Sequence, residues 1–472
     1  LLSYEWHFLR ADIFAPIGVA LAILVSMHVL LRKRDVGSAI GWIGLVWLSP
    51  LVGSAIYFVF GINRVERRAR RLRRDLHRDT RPKNPPDSEI PEHLVPLEVA
   101  ARQISNRAAE EGCDIQPLEN GDAAYPVMLE AIASAKTSVA LASYIFRDDT
   151  TGKRFSEALI AAHRRGVAVR VMIDGIGGGY FTSATYHRLR RAGVPAARFL
   201  HSTLPWRMPF LNLRSHKKIL VIDGARAFTG GMNIASQNLV RENPPDPVRD
   251  IHFRVAGPVV AQLMEDFARD WNFVTDEDLE GDSWFPATSR AGPAIARVIT
   301  SGPDRDIEKI AHVILEAITC ARKTIRVMTP YFLPDERFVS ALSLAAMRGI
   351  EVDIVVPEKG DHGMINWAMP AHVAPLLRAG VRVWRNPPPF EHTKLLVIDR
   401  VWCLIGSANW DMRSLRLNFE LTMEVYHSDL PARLDEVVSH RMGNRLHTAE
   451  LARRPFAIRL RDAATRLGLP YL

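Results

Sequence analysis

The sequence predicts an α/β protein: two tandem α/β sandwich repeats with mixed sheets, preceded by an N-terminal two-helix transmembrane hairpin. Three observations predict it. One order of strand and helix signals runs twice between residues 120 and 445. Each run ends in the same spacing of His, Lys, Asp and Asn. Two long stretches near the N-terminus carry no Asp, Glu, Lys or Arg.

Residues 13–31 form the first stretch, nineteen residues whose only ionisable group is His28. At 1.5 Å per residue they make roughly 28 Å of helix, against a bilayer core of about 30 Å. Residues 36–63 form the second, with Trp42, Trp47 and Tyr57 suited to a membrane interface and Pro50 placed to kink it. The expected helices cover about 13–31 and 38–60. Eight arginines follow between Arg64 and Arg78, which favours a cytoplasmic location for what comes next and contact with anionic headgroups. The short loop at Arg32, Lys33 and Arg34 is also basic, so a hairpin that does not fully span stays open. Residues 82–92 (PKNPPDSEIPE) read as a linker. The expected organisation is therefore a hairpin at 1–63, an arginine-rich segment and linker at 64–95, a first half at 96–290 and a second at 291–472.

In the first half, residues 138–146 (SVALASYIF) read as a buried strand and 153–166 as a helix. Residues 167–173 (VAVRVMI) read as a β-branched strand, and 186–199 as a helix, a Gly193 cap and a further strand. Residues 324–332, 337–349, 350–356 and 372–385 repeat that order. Alternating strands and helices predict an α/β sandwich around a mixed, largely parallel sheet in each half. Duplication suggests a pseudo-two-fold pair whose equivalent loops converge on one site.

Each half then carries His-x-Lys-x4-Asp-x6-Gly-(Gly/Ser)-x-Asn. The residues are His216, Lys218, Asp223, Gly230, Gly231 and Asn233 in the first half, and His392, Lys394, Asp399, Gly406, Ser407 and Asn409 in the second. Histidine and lysine two apart on a strand face the same way. The apolar runs 219–222 and 395–398 bury each strand, each Asp falls at its end, and a glycine turn brings the Asn back toward the lysine. His-x-Lys alone reads as surface charge; two copies with matching offsets inside two matching repeats do not.

The bulk composition adds limits. The chain has 472 residues, 47% hydrophobic, with a formal net charge of +9, ample for a core and suited to a polyanionic partner. Three distant cysteines (Cys113, Cys320, Cys403) form neither a disulfide framework nor a metal-ligand spacing. No Walker or dinucleotide loop occurs; residues 175–179 (GIGGG) read as an ordinary loop, and His201, His252, His362 and His372 as scattered surface or core histidines. No metal and no cofactor is expected. The apolar segment 203–211 (TLPWRMPFL) reads equally as a packed loop or as a loop that dips into headgroups.

These signatures resemble the phospholipase D superfamily, and the preceding hydrophobic runs resemble the membrane hairpin of bacterial cardiolipin synthases. The resemblance implies a two-step, metal-free phosphatidyl transfer through a phosphohistidine. His216 is assigned as nucleophile and His392 as general acid, an order that the near-symmetry of the halves leaves open. It further implies that Lys218, Lys394, Asn233 and Asn409 hold phosphate oxygens, with Ser407 grouped among the binding or orienting residues. Asp250 and Glu420 are carried over as acids that orient the histidines. Asp223 and Asp399 complete the candidate catalytic signature as structural residues rather than proton carriers.

The expected reaction joins two phosphatidylglycerols into cardiolipin and glycerol at a bacterial inner membrane. The expected partners are anionic phospholipid and bilayer, without nucleic acid; the oligomeric state is left open. A phospholipase D hydrolase, or transfer using phosphatidylethanolamine, is the alternative within the same chemistry. A nuclease fits the charge but not the hydrophobic runs, and a non-catalytic scaffold does not fit two intact signatures.

Overall fold

The computed structural model describes residues 2–33, 36–61, 86, 90–179, 182–201, 213–303 and 306–466. The chain divides into two compact units, Leu1–Arg71 and Leu72–Leu472. The arginine cluster at 64–78, most of the 82–92 linker and the apolar segment at 203–211 lie outside the described residues.

In the first unit a helix runs over Leu2–Arg32, and its part Ala15–Arg32, with mean hydropathy 1.9, is long and apolar enough to cross a membrane. The expected second helix over 38–60 is not continuous. Helix Val36–Leu48 stops at Ser49, a new helix Pro50–Ile56 starts, and Tyr57–Gly61 closes as a wider π-turn. Pro50 is the cause: it has no N–H to give a preceding carbonyl, yet fits the first turn of the helix it opens. Thirteen residues of helix reach only about 20 Å. One long and one shorter apolar helix therefore stand where two spanning helices were expected. They are tied by Tyr57, whose hydroxyl lies 2.7 Å from His28 Nδ1, and by Trp47 Nε1, which donates to Ser26 Oγ at 3.1 Å.

The second unit holds both repeats. In the first half the strands are β1 (Glu110–Glu119), β2 (Ser138–Ser143), β3 (Ala168–Asp174), β4 (Ala196–Phe199), β5 (Ile219–Ile222), β6 (Arg226–Gly230), β7 (Val248–Arg249) and β8 (Ile251–Ala256). The second half contributes β9 (Ala294–Ser301), β10 (Thr324–Met328), β11 (Phe332–Leu333), β12 (Glu351–Pro357), β13 (Arg382–Asn386), β14 (Phe390–Glu391), β15 (Leu395–Ile398), β16 (Trp402–Gly406), β17 (Trp410–Asp411), β18 (Glu420–Tyr426) and β19 (Asn444–Arg445). β2, β3 and β4 are parallel, as are β10, β12 and β13, while β5, β6 and β8 run antiparallel, as do β15, β16 and β18.

The halves do not keep separate sheets. β1 pairs antiparallel with β9, giving one fifteen-stranded sheet in the order β19-β13-β12-β10-β15-β16-β18-β9-β1-β8-β6-β5-β2-β3-β4. Alternation along each strand explains the layering. Ala140 and Ala142, with Ile219, Val221, Leu395 and Val397, face a central core shared by both halves, under helices Val259–Thr275 and Asp429–His440. Val139, Leu141, Leu220 and Ile222 face a separate core on the opposite side of the first half, and Leu396 and Ile398 do the same in the second.

Candidate active site

Each histidine sits just before a buried strand, β5 or β15, and each is stitched to the other half. The His216 amide donates to the Phe419 carbonyl at 2.9 Å, and the Phe419 amide to the Arg214 carbonyl at 2.8 Å. Symmetrically, β14 pairs parallel with β7, and the His392 amide donates to the Arg249 carbonyl at 2.8 Å. The residues that follow Phe419 and Arg249 are Glu420 and Asp250. The pairing therefore delivers each acid to the histidine of the opposite half.

His216 Nδ1 lies 3.1 Å from the Glu420 carboxylate and 3.0 Å from the Ser407 carbonyl, and His392 Nδ1 lies 2.8 Å from Asp250. With Nδ1 so engaged, the lone pair of a neutral ring resides on Nε2. Both histidines line one cavity of about 1380 Å³, together with Asn233 and Asn409.

The two acids are accommodated differently. A Cβ on Gly231 would lie 2.7 Å from both Asp250 carboxylate oxygens, so only glycine leaves room. In the second half Ser407 takes that position, and its hydroxyl donates to Glu420 while accepting from the Leu421 amide at 3.0 Å. Gly230 and Gly406 precede them at φ 148° and 149°, where L side chains are strained.

Lys218 and Lys394 are buried and turn back to donate to the carbonyls of His216 and His392. Asn233 Oδ1 accepts from the Ile145 amide at 3.3 Å, whereas Asn409 Oδ1 is buried without a hydrogen-bond partner. The residue between His and Lys differs between the halves: Lys217 is buried, 2.7 Å from both Asp266 and Asp270, whereas Thr393 is buried and donates to Glu391 at 2.5 Å.

Burial dominates the electrostatics. It lowers Lys218 to about 7 and Lys394 to about 8, and raises Asp250 and Glu420 to about 7. Both histidines are held well below the usual imidazole value, by burial first and then by the two ammoniums. Lesser neighbours differ between the rings: the Ser407 carbonyl raises His216 while Arg214 lowers it, and His216 lowers His392 while Asp361 raises it. An anion between the lysines would offset their charge and make protonation of an imidazole easier.

Asp223 and Asp399 stand apart from this cavity, at the far ends of β5 and β15. Asp223 accepts from the amides of Lys136, Thr137 and Ser138, and Asp399 from those of Arg322, Lys323 and Thr324. Five residues of extended chain, about 17 Å, separate Asp223 from Lys218. Grouping them with the catalytic signature is therefore corrected: their oxygens are spent on backbone amides away from the imidazoles.

Several residues of the site escape a reading of the signature. Tyr144 packs edge-on against His216 at 4.9 Å, beneath the Lys218 ammonium, and Arg214 donates to its hydroxyl at 2.7 Å. Tyr331 stands beside His392 and donates to Asp361 at 2.9 Å. Their signal was a tyrosine close to the end of the first strand of each repeat. Asp174, at the end of β3, accepts from the Ser215 amide at 2.8 Å and from the amides of Ile176 and Gly177, so the glycine-rich loop anchors the chain beside His216. His362 is exposed and also borders the cavity. His252 is buried behind Gly230 and lowered to about 3 by burial and then Lys218, which keeps it neutral.

Twin His-x-Lys strands from duplicated α/β halves, with both imidazoles bordering one cavity, define the phospholipase D class. The family model described as "cardiolipin synthase, PLD-like domain" matches residues 128–271 and 314–442, and one described as "phospholipase D-nuclease N-terminal" matches residues 20–61. The chain belongs to the cardiolipin synthase family, phosphatidyltransferases of the phospholipase D superfamily. A cardiolipin synthase of Geobacillus kaustophilus is 30% identical over 99% of this chain and 95% of its own. The major cardiolipin synthase of Bacillus subtilis is 29% identical over 98% of each chain, and cardiolipin synthase A of Pseudomonas aeruginosa 32% identical over 85% of this chain and 83% of its own. The fold is also that of a Haemophilus influenzae phosphatidylserine synthase, with TM-score 0.62 at 15% identity over 80% of this chain and all of that one.

Proposed function

We propose that this protein makes cardiolipin from two phosphatidylglycerols, with His216 as nucleophile and His392 as general acid and base. The observation that carries the reading is that both imidazoles border one cavity with Nδ1 held by a carboxylate. His216 Nε2 attacks the phosphorus of the first lipid. The bond from phosphorus to the glycerol headgroup breaks, and His392 gives its proton to the departing oxygen. Phosphatidyl-His216 and free glycerol result. A second phosphatidylglycerol then brings its terminal hydroxyl, His392 takes the proton, and the oxygen displaces His216 from phosphorus. Cardiolipin leaves with both rings restored.

One pair of charged neighbours supports this order of roles. Arg214 favours a neutral His216, and Asp361 favours a protonated His392. Lys218, Lys394, Asn233 and Asn409 hold the non-bridging oxygens, where preorganised donors stabilise developing charge. Glu420 and Asp250 act through the rings they orient. The run of arginines from Arg64 to Arg78, directly after the apolar stretches, supports a cytoplasmic site at a bacterial inner membrane.

The test is to incubate the purified chain with phosphatidylglycerol alone. Cardiolipin and glycerol in equal amounts are expected; phosphatidic acid as the sole lipid product would replace transfer by hydrolysis. Phosphoprotein should accumulate in His392→Ala and be absent from His216→Ala; the reverse would exchange the two roles.

A further inference from the structure

The C-terminal helix Phe456–Arg466 is packed the wrong way round for a surface helix. Its inward side carries Ile458, Arg461, Asp462 and Thr465, with Asp462 buried and ion-paired to Arg454 and Arg461 at 2.7 and 2.8 Å. Its outward side carries Phe456, 76% exposed, and Leu460, 58% exposed, one helical turn apart, with exposed Ala457, Ala463 and Ala464. A helix in water normally does the opposite.

The exposed apolar face also runs on to the active site. Helix 456–466 packs on helix Gly363–Arg378, and Arg461 lies 4.5 Å over the ring of Trp367. Trp367 and Met364, 39% and 53% exposed, belong at once to this surface and to the cavity that holds His216 and His392. Exposed Arg453 and Arg459 flank the apolar residues. Apolar side chains bordered by arginine, beside a tryptophan, are the composition of a surface that lies in the headgroup layer of an anionic bilayer.

We propose that helix Phe456–Arg466, with Met364 and Trp367, seats the rim of the active-site cavity on an anionic lipid surface, so that a lipid phosphodiester enters from the bilayer without passing through water. A membrane fits this face better than a second copy of the chain, because flanking arginines repel their own image and attract headgroups. The proposal rests on the reading that the cavity works on a lipid phosphodiester.

Two measurements on the full chain, reconstituted in vesicles of equal parts phosphatidylglycerol and phosphatidylcholine, test it. The first uses Phe456→Ser with Leu460→Ser. Glycerol release from vesicle phosphatidylglycerol should fall about tenfold, while release from monomeric dihexanoyl phosphatidylglycerol stays unchanged. An equal fall on both substrates, or none on either, overturns the proposal. The second needs no turnover: Leu460→Cys, in a Cys320→Ser background, carries a fluorophore. Brominated acyl chains should quench it and aqueous iodide should not. Quenching by iodide, or protection from both quenchers, overturns the proposal, the latter by showing protein over the face. If the unaltered chain releases glycerol from neither lipid, the proposed reaction fails while the fluorophore still decides the membrane contact.

Discussion

Glu420 holds the ring of His216 across 204 residues of chain, its carboxylate within 3.1 Å of Nδ1. Asp250 does the same for His392 across 142 residues. Each half thus owns a histidine and a lysine but borrows the acid that orients its histidine. Neither half contains a complete imidazole–carboxylate pair, so the site exists only when β7 meets β14 and the chain at Phe419 meets Ser215.

Glu420→Gln should therefore impair the histidine of the other half. A neutral amide can hold the unproductive tautomer of His216 and does not stabilise its charged form. A fall in kcat of at least about 10²-fold is expected, with KM little changed. Steady-state kinetics on phosphatidylglycerol, with phosphoprotein trapping in the His392→Ala background, check it; unchanged trapping speaks against the pairing.

The pH dependence follows from four shifted groups. Asp250 and Glu420, raised to about 7, become carboxylates as pH rises through that value, which helps the imidazoles. Lys218 and Lys394, lowered to about 7 and about 8, lose charge over nearly the same range, which weakens the hold on an anion. The kcat/KM profile should be a narrow bell near pH 7 to 8. Because a bound anion raises the lysines, inorganic phosphate binding near pH 8 should take up protons. Calorimetry in buffers of different ionisation enthalpy measures this; proton release would contradict it.

Gly231→Ala places a methyl against both oxygens of Asp250. Overpacking of about 1–3 kcal/mol is expected, read as a lowered denaturation midpoint, together with lost turnover because Asp250 must move from His392. Ser407→Ala removes a donor to Glu420 without a clash and should cost turnover more than stability. Denaturant titration and kinetics on the two variants separate these outcomes.

Asp223→Ala leaves three amides at the start of β2 without their acceptor. A loss of roughly 1–3 kcal/mol in stability is expected, with turnover per folded molecule retained. Asp223→Asn should cost less, since Asn keeps one acceptor oxygen and tolerates the left-handed backbone at φ 52°. A large fall in kcat for folded Asp223→Asn would return this residue to the catalytic group.

Much of the scaffold was legible because its signals are local. Residues 138–146 and 324–332 alternate between two apolar faces, and β2 and β10 form there. The break at Pro50 was partly legible: the proline marks a kink, while composition alone marks residues 36–63 as apolar throughout. Asp174 reads as an ordinary strand end until Ser215 arrives above it. Tyr144 and Tyr331 look like core aromatics until their rings meet the histidines.

The sequence by itself determined the two His-x-Lys-x4-Asp strands, the duplicated α/β order and the apolar N-terminal helix, because period and spacing act over a few residues of chain. Only the tertiary structure decided that one sheet joins the halves, that Glu420 serves His216 and Asp250 serves His392, and that Asp223 and Asp399 point away from the chemistry. Strand pairing between distant segments sets those relationships, and its partners are chosen by burial and by backbone hydrogen bonds that no local spacing encodes.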